Sequence, residues 1–281
     1  MESNEAILIT GVAGCLGSAL ERSYSFNAEH YIYSIDYSNN YRKNQHNRSD
    51  RMTYLDINLL DDNVDISSLI KHKVSTIYHC ASVISPYGHL STMDKTGLIQ
   101  QELMLLKRIK ELALKTRADE VVLFTTDPAN QDWEDQAYLT VQKEIYAYAD
   151  LFTVLKLPYL YGIFQDENGL LPCLLRTALS GLPASIPTHV KLIHSDDVAL
   201  KCVNRAYDLT DAIMTIAVDQ LAEVLKCLRT NHYQGLQELY YQNGDGQTEF
   251  FNLESSFCRS AIYKLLELIE HNEINKGRER R

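Results

Sequence analysis

The sequence predicts an α/β protein built on a doubly wound parallel sheet with a small C-terminal part, and three observations carry that prediction. Short β-rich runs alternate with helical patterns through the first two thirds of the chain, and strand, helix, strand in this rhythm gives a parallel sheet covered on both faces. The runs are nearly continuous in apolar residues, as strands buried on both sides require. A glycine-rich turn follows the first run and opens the first helix.

The predicted strands are Ala6–Thr10, Tyr31–Asp36, Met52–Asp56, Val74–His79, Val121–Thr125 and Phe152–Leu157, with the clearest helices over Leu98–Lys115 and Gln136–Ala149. Beyond them Leu170–Leu179 reads as a helix stopped by Ser180-Gly181-Leu182-Pro183. The run Val190–His194 reads as a strand that leads into a helix N-capped by Ser195, with Asp196 and Asp197 suited to its positive end. Val218, Leu221, Leu225 and Leu228 mark one later helix face, and Ile262, Leu265, Leu266 and Ile269 another. The polar, glycine-containing stretch 232–249 reads as loop. The expected division is a nucleotide-binding domain over 1–164, with 187–210 returning to it, and a smaller substrate-binding part made of 165–186 and 211–281.

Composition excludes several function classes. The chain has 281 residues, 45% of them hydrophobic, and a formal charge of -10. That is enough apolar material for one large core, and the acidic balance argues against nucleic acid as a partner. The short basic tail Lys276–Arg281 reads as a solvated end. No apolar run approaches the ~20 residues that span a bilayer, and the first strand pattern has no signal peptide before it. Cys15, Cys80, Cys173, Cys202, Cys227 and Cys258 are scattered without a CxxC pair, which fits reduced thiols in a cytoplasm. The Asn47-Arg48-Ser49 sequon is then incidental. No metal site is expected, because His189 and His194 have no third ligand in register.

The glycine turn reads Thr10-Gly11-Val12-Ala13-Gly14-Cys15-Leu16-Gly17, a GxxGxxG spacing between strand and helix. Glycine serves where the backbone turns sharply, where it must lie against a pyrophosphate, and where helix and strand pack closely. The helix N-terminus then offers N–H groups and partial positive charge to phosphates. Asp36 closes the second strand 19 residues after Gly17. A carboxylate there can accept hydrogen bonds from both ribose hydroxyls and repel the 2′-phosphate of NADP, which favours NAD. Arg42 and Lys43 follow soon after and pull the other way. These features define a Rossmann-type nucleotide-binding fold.

With these residues in place the chain resembles the extended short-chain dehydrogenase/reductases, the NAD-dependent epimerase/dehydratase family that acts largely on nucleotide sugars. Tyr54-Leu55-Asp56-Ile57 is similar to the family's third-strand motif, whose aspartate contacts adenine. Tyr78-His79-Cys80-Ala81-Ser82 resembles the fourth-strand motif that passes under the cofactor, and Leu155-Lys156-Leu157-Pro158-Tyr159-Leu160-Tyr161-Gly162 the sixth-strand motif. Leu192–Ala199 resembles a later motif that begins a helix near the substrate domain. The resemblance runs from residue 6 to about 230. It implies cofactor contacts from Gly11, Ala13, Gly14, Cys15, Leu16, Gly17, Asp36, Asp56, Ile57, Cys80, Ala81, Ser82 and Pro158. By the same resemblance Arg176 and Lys191 are candidate phosphate partners.

The resemblance also implies hydride transfer between a sugar carbon and the nicotinamide, with a tyrosine moving the hydroxyl proton. Tyrosine at its ordinary pKa of about 10 is a poor base near neutrality, and the family supplies a lysine four residues on. Thr126 falls at the family's Ser/Thr position, and Asp127 resembles the acid of nucleotide-sugar dehydratases, although Pro128 stands where their glutamate would. Asp127-Pro128 equally reads as a turn. Tyr138 is the candidate tyrosine among 18 in the chain. The residue four on is Gln142, and Lys143, five on, lies about 140° round an ideal helix. The family's asparagine aligns with Leu98 or a neighbour, with Gln100 the nearest amide. Thr126 and Tyr138 are only 12 positions apart, and the loop after Gly181 is short, which points to an unusual or smaller substrate or a more open site.

Three readings therefore stand. One is an NAD(H)-dependent epimerase, dehydratase or reductase acting on a nucleotide sugar or a related small compound. The other is a dinucleotide-binding partner or regulator that has lost catalysis. An unrelated α/β protein such as a methyltransferase is a third, and the absence of a GxSxG elbow argues against a serine hydrolase. Related enzymes dimerise through the two helices over 98–115 and 136–149. Leu103, Leu106 and Ile109, with Ile145 and Tyr146, could form such a homodimer face or could simply cover the sheet.

Overall fold

The computed structural model describes residues 5–26, 30–37, 50–83, 95–126, 152–162, 189–217, 240–242 and 248–250, with 143, 144 and 147. Its centre is a six-stranded sheet of β1 (Glu5–Thr10), β2 (Tyr31–Asp36), β3 (Met52–Asp56), β4 (Lys73–His79), β5 (Glu120–Thr126) and β6 (Thr153–Leu157). The order is β3-β2-β1-β4-β5-β6, and every pairing is parallel. Strand order reverses at β1 and β4, and the crevice beyond the carboxyl ends at that point is where open α/β sheets take their ligands.

The two faces of β1 divide the core. Ala6 and Leu8 pack with Leu98, Leu105, Leu106, Ile109 and Leu112 of α2 (Lys95–Thr116). Ile7 and Ile9 pack with Leu16, Ala19, Leu20 and Tyr24 of α1 (Cys15–Ser25), and with Val198, Ala199 and Cys202 of α3 (Ser195–Val203). Period-2 alternation thus turns a continuous apolar strand into two half-cores. Buried tyrosines tie the layers on the α1 side. Tyr24 and Tyr78 share a hydrogen bond of 2.7 Å, and Tyr78 donates to the carbonyl of Cys202 at 3.1 Å.

Beyond Pro158, which is buried, the chain leaves the main sheet. A second sheet joins β7 (Tyr159–Tyr161), β8 (His189–His194) and β9 (Met214–Ala217), parallel between the first two and antiparallel between the last two. β10 (Tyr240–Gln242) pairs antiparallel with β11 (Thr248–Phe250).

The six predicted strands and the long helix stand in the fold within a residue or a few at each end. Three expectations change. The stretch 232–249, expected as loop, carries the β10–β11 pair, because Tyr240, Tyr241, Thr248 and Phe250 are good strand formers around an Asn243-Gly244 turn signal. Ser195 does not cap α3. His194 is the capping residue, its Nδ1 accepting from the Asp196 N–H at 3.1 Å, while Ser195 is the first helical residue and is fully buried. Leu106 and Ile109 belong to the core that covers the sheet, because they share a helical face with Leu98, Leu105 and Leu112. They offer nothing to a partner chain, and the outward ridge carries Met104 and Leu114, 44% and 70% exposed. The expected helices over 136–149, 170–179, 218–228 and 262–269 lie outside the described residues, apart from Lys143, Glu144 and Ala147, which are helical. The basic tail Lys276–Arg281 and the Asn47 sequon lie outside them too. Among the described residues no helix is long and apolar enough to cross a membrane.

Candidate cofactor cleft and active site

The end of β1, the start of α1 and the end of β4 meet at the strand-order reversal. Gly11 has φ +70, and a Cβ there would stand 2.6 Å from the Ala81 nitrogen and 2.7 Å from the Cys80 carbonyl carbon. Both the dihedral and the space demand glycine. A Cβ on Gly17 would overlap the Gly11 carbonyl oxygen and lie 2.9 Å from the Val12 Cα, so this glycine lets α1 start flush against the turn. Gly14 differs. It is exposed, and an added Cβ would meet only the Gly11 oxygen, at 3.3 Å. Internal packing therefore asks little of Gly14, and its small size leaves the outer face of the turn open for a close-lying ligand.

The turn is held by backbone bonds. The Gly11 N–H donates to Ile35 O at 2.9 Å, Gly14 N–H to Gly11 O at 3.0 Å and Cys80 N–H to Thr10 O at 3.2 Å. The first intrahelical bond of α1 is Ser18 N–H to Gly14 O at 3.0 Å, so the N–H groups of Cys15, Leu16 and Gly17 precede it. Gly14 brings no side-chain cap, and the first turn of α1 has no acidic residue. The positive end of the helix thus carries no acidic side chain of its own, an arrangement compatible with an anion.

Asp36 stands beside this turn. Its Oδ2 accepts from the Ala13 N–H at 2.8 Å and its Oδ1 from the Tyr37 N–H at 2.7 Å. Each carboxylate oxygen keeps capacity for a further donor, such as a ribose hydroxyl. Asp56 is exposed and pairs in register with Asp36 across β2 and β3, while Ile57 is buried next to it and donates its N–H to Asp36 O at 3.0 Å. Residues 36, 56 and 57 thus stand together at the carboxyl ends of β2 and β3. Cys80, Ala81 and Ser82 follow directly from the carboxyl end of β4. Burial pushes the Cys15 thiol up to about 12 and raises that of Cys80, so both thiols are neutral.

Two features of this cleft escape the sequence reading. Thr10 Oγ1 accepts from the Ala81 N–H at 3.3 Å and shares a 2.8 Å bond with His79 Nδ1. The other nitrogen of the His79 ring is Nε2. That nitrogen is buried with no hydrogen-bond partner, and burial holds the His79 pKa down at about 4. The second feature is Glu102. It is 7% exposed on α2, and its Oε2 accepts from Ser82 Oγ at 3.0 Å and from the Val83 N–H at 2.9 Å. A charged residue inside a helical apolar face was the available signal, because Glu102 falls between Leu98 and Leu105, Leu106 on the buried side.

Of the catalytic candidates, Thr126 ends β5, in register with Leu157 of β6. Asp127, Tyr138 and Gln142 lie outside the described residues, and Lys143 is helical and exposed. Leu98 is buried in the core and Gln100 is exposed. Arg176 lies outside the described residues, and Lys191 is exposed on β8. Burial raises the phenols of Tyr24 and Tyr207, the former to about 12, and that of Tyr78 further. These three are therefore structural donors. Among the described residues no group of His, Cys, Asp and Glu side chains could hold a metal ion.

Fold and cleft together define a dinucleotide-binding protein of the doubly wound class. The sequence model of the NAD dependent epimerase/dehydratase family matches residues 7–209, and the chain belongs to that family. NAD is the cofactor that this membership and the cleft geometry agree on. Solved structures share the fold. UDP-N-acetylglucosamine 4-epimerase from Methanobrevibacter ruminantium M1, in complex with UDP-N-acetylmuramic acid, has a TM-score of 0.63 at 14% identity, over 82% of this chain and 83% of that one. UDP-glucuronic acid 4-epimerase from Bacillus cereus, with UDP-glucuronic acid and NAD, has 0.61 at 16% identity, over 80% and 83%. UDP-glucose 4-epimerase from Thermotoga maritima, with UDP-glucose, has 0.62 at 18% identity, over 80% and 82%. No curated protein matches the sequence.

Gly17→Ala drives a methyl group into the Gly11 carbonyl and displaces α1 from the turn. Isothermal titration should show NAD binding weakened by about tenfold or more, roughly 1.4 kcal/mol, and an unchanged Kd would remove the turn from the binding site. His79 produces a pH effect. Its pKa is about 4 when folded against 6.5 as an ordinary histidine, so between these values the unfolded chain takes a proton that the folded chain refuses. Stability contributed by this group is lost as pH falls from about 6.5 to about 4, by about 3 kcal/mol in all. Thermal unfolding of wild type should therefore fall more steeply over that window than unfolding of His79→Asn, and parallel curves would contradict the assignment.

Proposed function

We propose that this protein is an NAD(H)-dependent epimerase-type enzyme acting on a nucleotide sugar or a related small carbonyl or hydroxyl compound. The observation that carries the proposal is the uncapped start of α1 packed against Gly11 and Ala81, with Asp36 bonded to the same turn, inside a chain that belongs to the epimerase/dehydratase family. The substrate class is supported by the UDP-sugar complexes of proteins with the same fold.

NAD, when bound, supplies the hydride acceptor and, reduced, the hydride donor. The chain's own part is to place the reacting hydroxyl and move its proton. Thr126, at the carboxyl end of β5, is the residue assigned to hold that hydroxyl. Tyr138 is assigned to take and return its proton, with Lys143 as the nearby cation and Asp127 as a further acid. Dehydration asks for more acid/base groups than epimerisation or reduction, and Pro128 stands where a second acid would be needed. The substrate part is assigned to 165–186 and 211–281, and the nucleotide-binding domain to 1–164 with 187–210. A cytoplasmic setting is supported by the free thiols of Cys15, Cys80 and Cys202. A homodimer through α2 is supported by the exposed Met104 and Leu114, and a sedimentation run showing monomer at micromolar concentration would contradict it.

A second reading, a dinucleotide-binding partner or regulator without turnover, is favoured by Gln142 at the lysine position and by the exposure of Lys143. One experiment separates the two. The purified protein is incubated in heavy water with NAD or NADH and a panel of UDP-, GDP-, CDP- and dTDP-sugars, and products are resolved by chromatography and mass spectrometry. A new isomer, loss of water or a two-hydrogen gain is the expected result, and Tyr138→Phe should cut the rate by about 10²–10⁴-fold with NAD affinity unchanged. Tight NAD binding with a blank panel would establish the second reading instead.

A further inference from the structure

The first residues of α1 and α3 meet at one point. Gly162, which follows β7, has φ +155, and a Cβ there would collide with the Ser195 hydroxyl and stand 3.0 Å from the Cys15 sulfur. Cys15 opens α1 and Ser195 opens α3, so two helix starts and the end of a strand share a space too small for one methyl group. Dihedral and space both demand glycine at 162. The same two helices are bridged by Arg22 and Asp196 at 2.7 Å, and their apolar faces pack in one core.

The polarity of this point is out of keeping with its burial. Ser195 is 0% exposed, and its Oγ has no hydrogen-bond partner among the described residues. It does not cap α3, a task that His194 performs. The hydroxyl acts on the Cys15 thiol, opposing part of the effect of burial, but the contact lacks the alignment of a full hydrogen bond. A buried hydroxyl without a bond lowers stability, and alanine in its place relieves that cost. Unpaired buried groups mark places where stability gives way to function. Here the group bears on the start of α1. The N–H groups of Cys15, Leu16 and Gly17 precede the first intrahelical bond, from Ser18 N–H to Gly14 O, and the Cys15 side chain is the one that meets Ser195 beside Gly162.

We propose that Ser195 is a positioning residue for dinucleotide binding, its hydroxyl bearing on the Cys15 side chain and so fixing where the first N–H groups of α1 stand. The proposal rests on the NAD reading above. It goes beyond that reading in giving a role in cofactor affinity to a residue outside the glycine turn, on the helix that follows β8.

Three variants of the full chain test it: Ser195→Ala, Cys15→Ala and the two together. Titration calorimetry gives NAD affinity, and thermal melting without NAD gives stability. Ser195→Ala should melt at or above the wild-type temperature, by about 2 °C where the unpaired hydroxyl carries its usual cost. Its NAD affinity should fall by about threefold to tenfold. A structural hydroxyl would not move the two readings in opposite directions, since its loss would lower both. Cys15→Ala should weaken NAD to a similar degree, and the double variant should lie within about twofold of the weaker single variant, because both act through one contact. Melting lowered by more than about 2 °C in Ser195→Ala, or failure of that variant to fold, would make the hydroxyl structural and overturn the proposal. NAD affinity within about twofold of wild type in Ser195→Ala would overturn it too, and losses that multiply in the double variant would overturn the route through Cys15. If Cys15→Ala does not fold, Ser195→Ala decides. Wild type binding no NAD would overturn the cofactor reading itself, and this inference with it, and that outcome is distinct from wild type and Ser195→Ala binding NAD equally.

Discussion

Everything at the cleft depends on how closely three backbones approach at the end of β1. Gly11 touches the Cys80–Ala81 peptide on one side, and Gly17 touches Gly11 on the other. No side chain fits in either gap. The contact fixes where α1 begins, and so where its uncapped N–H groups point. It also fixes the path of the chain out of β4, and so the position of Ser82 and Val83. A sheet can reverse its strand order without such a contact, but the crevice formed would lack a defined phosphate-facing edge. Steric exclusion supplies the precision here, and the hydrogen bonds of the turn then hold what sterics have placed.

Charge is distributed around that contact with the same economy. The positive end of α1 is left without an acidic side chain, and the carboxylate of Asp36 is held at the turn by the Ala13 N–H. Beneath the turn the groups are neutral. His79 is kept unprotonated by burial, and Cys15 and Cys80 are kept as thiols. A protonated histidine below the turn would compete with the helix for the same anion, so its depressed pKa leaves the field of α1 as the local source of positive potential.

Much of the fold was legible because burial on both faces leaves a strong mark. Ile7, Leu8 and Ile9 are all apolar since each packs against a helix layer, and no loop reads that way. Gly11 and Gly17 were legible for the same reason, their spacing being a direct record of the close approach. What was hidden depended on which of several adequate residues wins a contact. Ser195 and His194 can each cap a helix. The structure uses the histidine because Ser195 is turned inward against Gly162, where an added Cβ would collide with its hydroxyl. Leu106 and Ile109 could face a partner or a sheet, and helical periodicity alone does not say which. Glu102 was hidden by its type, because a glutamate in a helix reads as a surface residue until its neighbours in space are known.

The cleft is also joined to the part of the chain that follows the main sheet. Arg22, in the last turn of α1, makes a 2.7 Å ion pair with Asp196 in the first turn of α3, which is a favourable placing of charge at both helix ends. Both side chains are over a third exposed, so the pair itself adds little to stability. The buried bonds of Tyr24 with Tyr78 and of Tyr78 with the Cys202 carbonyl add more, since each polar group would otherwise lie unpaired in the core. The apolar faces of α1 and α3 meet between them in one core with Ile7 and Ile9. α3 begins directly after β8, the central strand of the second sheet. A shift of α1 along its axis would therefore be felt at β8, and a change at β8 would be felt at the phosphate-facing end of α1. The helix that begins at the glycine turn is the one against which α3 packs, so the start of α1 and the placement of β8 are tied through one shared core.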